Sequence, residues 1–312
     1  MPRMIHAARL SIRLVRFELL AFAFLVAGLM VASLAAITWI ESFRPPTSCL
    51  TPIAEWDPGC GTLLNGWYGA QQATVQPLTM LLIVVSFAAG LFLGAPLVAR
   101  EVERGTSRLA WSLALSRRRW YAARVLPVLL ALLVVTYGAG VALDQLTAIS
   151  VPQVDPDRSF ISFGLHGVLI TARSAFIFSV GVLTGAVLGR VLPAVIVAAL
   201  IAAVGIAGGE GVHQRLLRGE AVPTAETAGS PGDLFVDQKF KLPDGRMVDW
   251  QYFESGVPPF DEDGNPLYPI VNIVVPADRY PFAEAREALA LAAGSAALLA
   301  MGLVVTQRRR PE

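Results

Sequence analysis

The sequence predicts an all-α polytopic membrane protein with six transmembrane helices and a small domain between the fifth and sixth. Three observations predict it. Hydrophobic residues make up 54% of the 312 and charged residues 16%, with a mean hydropathy of +0.57; a soluble domain is nearer a quarter charged. Several apolar runs reach roughly 20 residues, the length that crosses a hydrocarbon core about 30 Å thick. The arginines fall mostly in alternate connectors, as they do when cytoplasmic loops retain positive charge.

The N-terminal "MPRMIHAARLSIRLVRFELL" sets Arg9, Arg13 and Arg16 at helical spacing among Leu10, Ile12, Leu14, Val15 and Phe17. It reads as an amphipathic interfacial helix; a positive flank that only orients the next helix is the alternative. Residues 19–40 form the first span, too long for the apolar core of a secretory signal peptide. A polar connector over 42–74 carries Cys49 and Cys60. If it faces outside, a disulfide closes it; two free thiols are the alternative.

Spans two and three cover 77–98 and 122–143, and the acidic, proline-bearing "DQLTAISVPQVDPDRSF" follows. Span four covers 166–188. "GRVLP" then predicts a tight turn at Gly189, Arg190 and Pro193 before span five, 192–208. The polar stretch 209–282 is too long for a simple connector. Within it "FKLPDGRMVDW" predicts a hairpin. Pro-Asp-Gly supplies the turn, and Phe240, Leu242, Met247, Val248 and Trp250 flank it. Span six covers 287–306. The organisation is therefore 1–208, a 209–282 domain, and 283–312.

Six spans put both termini on one side. The 99–125 connector holds Arg100, Arg104, Arg108, Arg117, Arg118, Arg119 and Arg124, against Arg44 and Arg158 in the short opposite connectors. Both termini and 99–125 are then cytoplasmic, in the inner membrane, and the cysteine loop and 209–282 are external.

Lysine is confined to Lys239 and Lys241, on the external side, so no phosphate-binding G-x-x-x-x-G-K-[ST] loop exists in this chain. No carboxylate falls in the middle of a span: Asp144, Glu284 and Glu287 sit at external ends and Glu41 ends the first. That argues against proton coupling. His6, His166 and His213 are scattered, and neither H-E-x-x-H nor G-x-S-x-G occurs. No catalytic set, metal ligand set or cofactor is expected in the chain, and no nucleic-acid partner. Arg173 is the one charge inside a span. It either snorkels to the outer headgroups or makes a polar contact in a pathway or gating cavity. Gly90 and Gly94 are spaced for a close helix contact, within or between subunits. Pro77, Pro96, Pro127 and Pro193 sit near span ends.

The connector "AREVERGTSRLAWSLALSRRRWYAARV" (99–125) resembles the cytoplasmic coupling segment of permease subunits in type-2 ABC exporters. The shared pattern is Glu-x-Glu-x-Gly-Thr, a short amphipathic helix, then Ser-Arg and a basic, aromatic start to the third span. Here it is Glu101, Glu103, Gly105, Thr106, Ser116, Arg117 and Trp120. "VVPADRYPFAEAREALAL" (274–291) is similar to the segment before the last span of many actinobacterial members, through Pro276, Ala277, Arg279, Tyr280 and Glu287. Residues 282–286 depart from its Gln-containing version. Topology matches along the whole chain, motif detail only in these two stretches.

The resemblance implies a non-catalytic permease that borrows ATP hydrolysis, with its ATP and Mg, from a separate ATP-binding subunit. A second permease copy or a paralogue completes a two-plus-two assembly in the bilayer. The connector would dock on the ATPase through the apolar anchors Leu109, Trp111, Leu113 and Leu115. Glu101, Glu103, Arg104 and Arg108 would supply the charges. An ordinary positive-inside loop accounts for the arginines but not for Glu101, Glu103 and Gly105-Thr106. The expected substrate is amphipathic or hydrophobic: drug-like, lipid or peptide. The competing readings are a membrane scaffold or sensor whose 209–282 domain binds a ligand, and a membrane-embedded enzyme.

Overall fold

The computed structural model describes residues 16–50, 58–105, 116–151, 155, 158–161, 163–165, 167–224, 232–253, 261 and 266–309. The interfacial helix expected before the first span lies outside them. Six helices among them are long and apolar enough to cross a membrane. They are α1 (Arg16–Glu41), α2 (Pro58–Glu103), α3 (Arg117–Ser150), α4 (Gly167–Leu188), α5 (Val191–Glu220) and α6 (Tyr280–Arg308). The protein is an all-α polytopic membrane protein. The chain divides into a unit made of residues 1–151, 164–207 and 286–312, and a unit made of 152–163 and 208–285.

In the first unit α4 is the inner helix, burying most of its residues from Leu169 to Ala186. Glycines let it approach its neighbours closely. Gly90 and Gly94 of α2 lie on the backbone of Ser174 and Phe178, and Gly181 and Gly185 of α4 lie on that of Gly94 and Ala95. Gly140 of α3 abuts the Gly167 carbonyl. The contact expected of Gly90 and Gly94 is thus made within this chain. Outward-facing side chains such as Phe24, Val134, Leu200 and Val204 are apolar and exposed, the surface that hydrocarbon covers in a bilayer.

The polar connector expected over 42–74 is corrected. A single helical turn spans Thr47–Leu50, and α2 begins at Pro58, so most of that stretch is helix. Cys60, Leu64, Trp67 and Ala70 recur at helical spacing and are buried with Ile40, Cys49 and Ile149. Tertiary burial of one stripe stabilises a helix whose Gly, Asn and Gln residues hide it from a hydropathy reading. Gln71 Nε2 donates to the Ile149 carbonyl, 3.3 Å, fastening this extension to the end of α3. With 46 residues, α2 is about 69 Å long, and residues 58–76 extend about 28 Å beyond its apolar run. Pro77 and Pro96 lie inside this helix and Pro127 inside α3, rather than at helix ends. Asp144 likewise lies inside α3, and Glu284 and Glu287 inside α6.

A disulfide joins Cys49 to Cys60 across 11 positions, with both cysteines buried. Closing a loop of that length removes about 3 kcal/mol of unfolded-chain entropy. Cys49→Ser/Cys60→Ser is therefore expected to melt several degrees lower in non-reducing detergent, a difference that vanishes when the parent is fully reduced.

The second unit carries an antiparallel sheet of strand order β1-β4-β2-β3. The strands are β1 (Val222–Thr224), β2 (Leu234–Lys241), β3 (Met247–Val248) and β4 (Ile270–Val275). The hairpin expected from Pro-Asp-Gly is β2–β3, with Phe240 opposite Val248. Gly245 takes φ 86° in its turn, and the Leu242 N–H donates to the Arg246 carbonyl. The Arg246 backbone N–H, and then its guanidinium, hold the Asp244 carboxyl below its ordinary pKa. Trp250 leaves the strand but packs edge-on against Phe240. Lys239 and Lys241 both lie on β2, Lys239 between Asp237 and Asp249. Phe160, Leu217, Val275, Tyr280 and Ala283 form this unit's own apolar core, and His213 stacks on Phe163 there.

Candidate functional site: a belt at one end of the helix bundle

The "EVERGT" stretch closes α2. Gly105 takes φ 67°, which ends the helix at a residue without Cβ strain. α3 restarts after Ser116, whose hydroxyl accepts from the Arg119 backbone N–H at 3.2 Å, an N-cap. Between them, Thr106, Arg108 and Trp111, with Leu109, Leu113 and Leu115, lie outside the described residues.

The flanks of this connector bind inward. Arg124 of α3 pairs with Glu101 of α2, each side chain only 13% exposed. The Arg124 guanidinium also lies 5.4 Å from the Trp120 ring centre. Arg100 pairs with Glu18 of α1 at 2.5 Å. Glu103 Oε2 accepts the Val191 backbone N–H at 3.1 Å, satisfying one of the donors that every helix start leaves open, here that of α5. Arg117 donates to the carbonyls of Gln307 and Arg309 at the end of α6, 2.7 and 2.9 Å. Arg309 in turn donates to the Ala186 carbonyl near the end of α4, 2.7 Å. Tyr121 adds a hydrogen bond to the Leu299 carbonyl of α6, 3.0 Å.

These contacts form a belt that touches all six helices. Its hub is the turn between α4 and α5. Gly189 takes φ 64°, and a side chain there would strike Val102 and the Arg309 guanidinium. Beneath it Leu97, Val98, Trp120, Tyr121, Val125, Phe178, Val182 and Ala186 form a tight apolar layer. Glu101, Glu103 and Arg117, three of the residues expected to meet a partner, thus make contacts inside the chain. Arg104 and Gly105 are exposed at its rim. The belt partners Glu18 of α1, Val191 of α5 and Arg309 just past α6 lie far from "EVERGT" in the chain, and no local pattern joins them to it.

Arg173 lies apart from the belt. It is 6% exposed and does not snorkel to a surface. Its Nε and Nη2 both reach Glu287 Oε1 of α6, 2.9 and 2.6 Å, and its guanidinium lies against Gly164. Satisfying a charge inside the bundle outweighs reaching the headgroups when a carboxylate faces it across the helix contact. In the sequence Glu287 stands at the end of an apolar run, 114 positions from Arg173, with nothing local to join the two.

Neither a curated protein nor a solved structure matches the chain. Residues 18–210 match the family described as ABC-2 membrane transporter related. That match runs from α1 through most of α5 and takes in "EVERGT", the α2–α4 glycine contact and the Gly189 hub. Spanning more than half of the chain, it establishes that this multi-pass membrane protein belongs to the ABC-2 membrane transporter related family.

Proposed function

We propose that this chain is the permease subunit of an ATP-driven exporter and is worked by a separate ATP-binding subunit through the 99–125 segment. The observation that supports this most is the belt. A partner that pushes on the connector acts on its two flanks, and those flanks are bonded to every helix of the bundle. Inward-bonded Glu101, Glu103 and Arg117 act as the struts that carry force, while Arg104, Thr106, Arg108 and Trp111 make the contact with the ATPase. ATP and its Mg belong to that subunit. Two permeases, identical or paralogous, pair with two ATPases around a pathway for an amphipathic or hydrophobic substrate. Both termini and the belt face the cytoplasm. The disulfide end of the first unit and the 209–282 domain face outside, where a disulfide persists.

The test is to co-express the chain with an ABC ATP-binding subunit, sought first in the neighbouring reading frames, purify the pair in nanodiscs, and measure ATP turnover. Trp111→Ala is expected to weaken co-purification. Glu103→Arg, which puts a cation at the positive start of α5, is expected to keep the pair together while cutting the permease-dependent part of turnover several-fold. If no ATPase co-purifies and neither substitution changes turnover, the exporter reading fails.

A further inference from the structure

We propose that the Arg173–Glu287 ion pair is a latch that holds α6 against α4, and that its rupture releases α6 without unfolding the bundle. Four observations carry this. First, the two helices differ in kind. Arg173 stands on α4, the inner helix, whereas α6 exposes much of its apolar length, including Leu289, Met301 and Val304. Second, the rest of the contact is smooth. The Phe176 ring, one turn beyond Arg173, lies against Gly294 of α6 on one side and Gly205 of α5 on the other. A flat ring on two glycine surfaces resists sliding far less than interdigitated side chains do. Third, the other half of α6 is tied separately, Tyr121 to the Leu299 carbonyl and Arg117 to those of Gln307 and Arg309, so the ion pair stands at least 12 residues from the nearest of these bonds.

The fourth is the chemistry of the pair. A buried ion pair adds little to stability that an apolar pair of similar size would not add. It does supply a short-range, all-or-none bond: two charge-assisted hydrogen bonds converge on one carboxylate oxygen. Gly164, at φ 80°, shapes the seat, because a side chain there would occupy the position of the guanidinium. Glu287, Gly294 and Gly302 recur about two turns apart along α6 and line its inner side, with the latch at one end and the Tyr121 contact at the other. The inference rests on the transport reading only for what opens the latch, an impulse from the belt. The latch itself is a property of the permease alone.

The experiment therefore uses the full-length permease without a partner. Ser295 on α6 is buried and serves as the reporter position. Both native cysteines are held in the disulfide, so a maleimide reads Ser295→Cys alone. With the wild-type pair, labelling is expected to be slow. With Arg173→Gln/Glu287→Gln, which leaves no unpaired charge, it is expected to speed up about tenfold, the scale of a lost charge-assisted hydrogen bond in a local opening equilibrium; with Glu287→Gln alone it is expected to speed up more, because Arg173 stays buried without its counter-charge. Helical circular dichroism and size-exclusion profile are expected to stay unchanged. Labelling at the wild-type rate in folded variants would overturn the latch. So would loss of fold in both variants, which would make the pair a structural tie. Absence of an ATPase partner, by contrast, would sink the exporter reading and leave this result standing.

Discussion

Gly94→Leu is expected to eliminate folded, monodisperse permease, while Gly28→Leu, a larger distance from any neighbour, leaves yield and melting temperature nearly unchanged. A Cβ at position 94 would fall on the carbonyl group of Phe178, closer than real Cβ atoms come to any atom. The obstacle is backbone, so no rotamer change relieves it. Gly181 and Gly185 face Gly94 and Ala95 from the other helix, so both partners of the α2–α4 contact meet backbone to backbone. Overpacking a core typically costs 1–3 kcal/mol, and here the cost is expected at the top of that range, about 3 kcal/mol or more. Gly28 has open space where its Cβ would point. Fluorescence-detected size exclusion and a thermal ramp of both variants in detergent decide the matter. A Gly94→Leu protein that melts with the parent would mean that α2 and α4 do not meet backbone to backbone.

The second large effect is expected at Glu101 and Arg124. Removing one member of a buried pair leaves a charge without its counter-charge, at a cost of about 3–5 kcal/mol. Glu101→Leu and Arg124→Leu are each expected to lose stability on that scale. Glu101→Leu/Arg124→Leu is expected to recover most of it, since two apolar side chains pack beside Trp120, Leu97 and Val98. The double-mutant cycle measured by thermal melting gives the coupling directly. This series also separates two roles for Glu101. As a strut, its loss destabilises the permease alone and is rescued by the second substitution. As a docking charge for a partner, its loss leaves the permease stable and is not rescued.

The six spans were legible because each carries its own apolar run, and a run of roughly 20 residues has one physical meaning. The Gly189 turn and the β2–β3 hairpin were legible for the same reason: Gly-Arg-x-x-Pro and Pro-Asp-Gly act through neighbouring residues. What escaped depends on residues distant in the chain. The first turns of α2 look polar on average, and only the burial of Cys60, Leu64, Trp67 and Ala70 against α1 and α3 makes them helix. The pairing of Arg173 with Glu287 joins positions 114 apart. Arg173 lies inside an apolar run and Glu287 at the end of another, and nothing local says that they face each other. In "EVERGT" the unusual residues stand out in the sequence but their direction does not. A carboxylate beside a basic connector reads the same whether it points to a partner or to Arg124 and the α5 amide. The order β1-β4-β2-β3, with its register shift between Phe235 and Asp237, lies equally beyond local patterning.

The placement of the two lysines has a practical consequence. The chain has no lysine side chain outside β2, and Lys241 is exposed there with Lys239 two residues away. Acylation of lysine side chains is thus confined to one strand of one unit and spares every membrane-crossing helix; a peptide map separates it from acylation of an α-amino terminus. A charged acylating reagent that cannot pass a bilayer reports, on the unmutated chain in its native membrane, which face of that membrane the sheet occupies. This chain carries such a marker in residues 239 and 241.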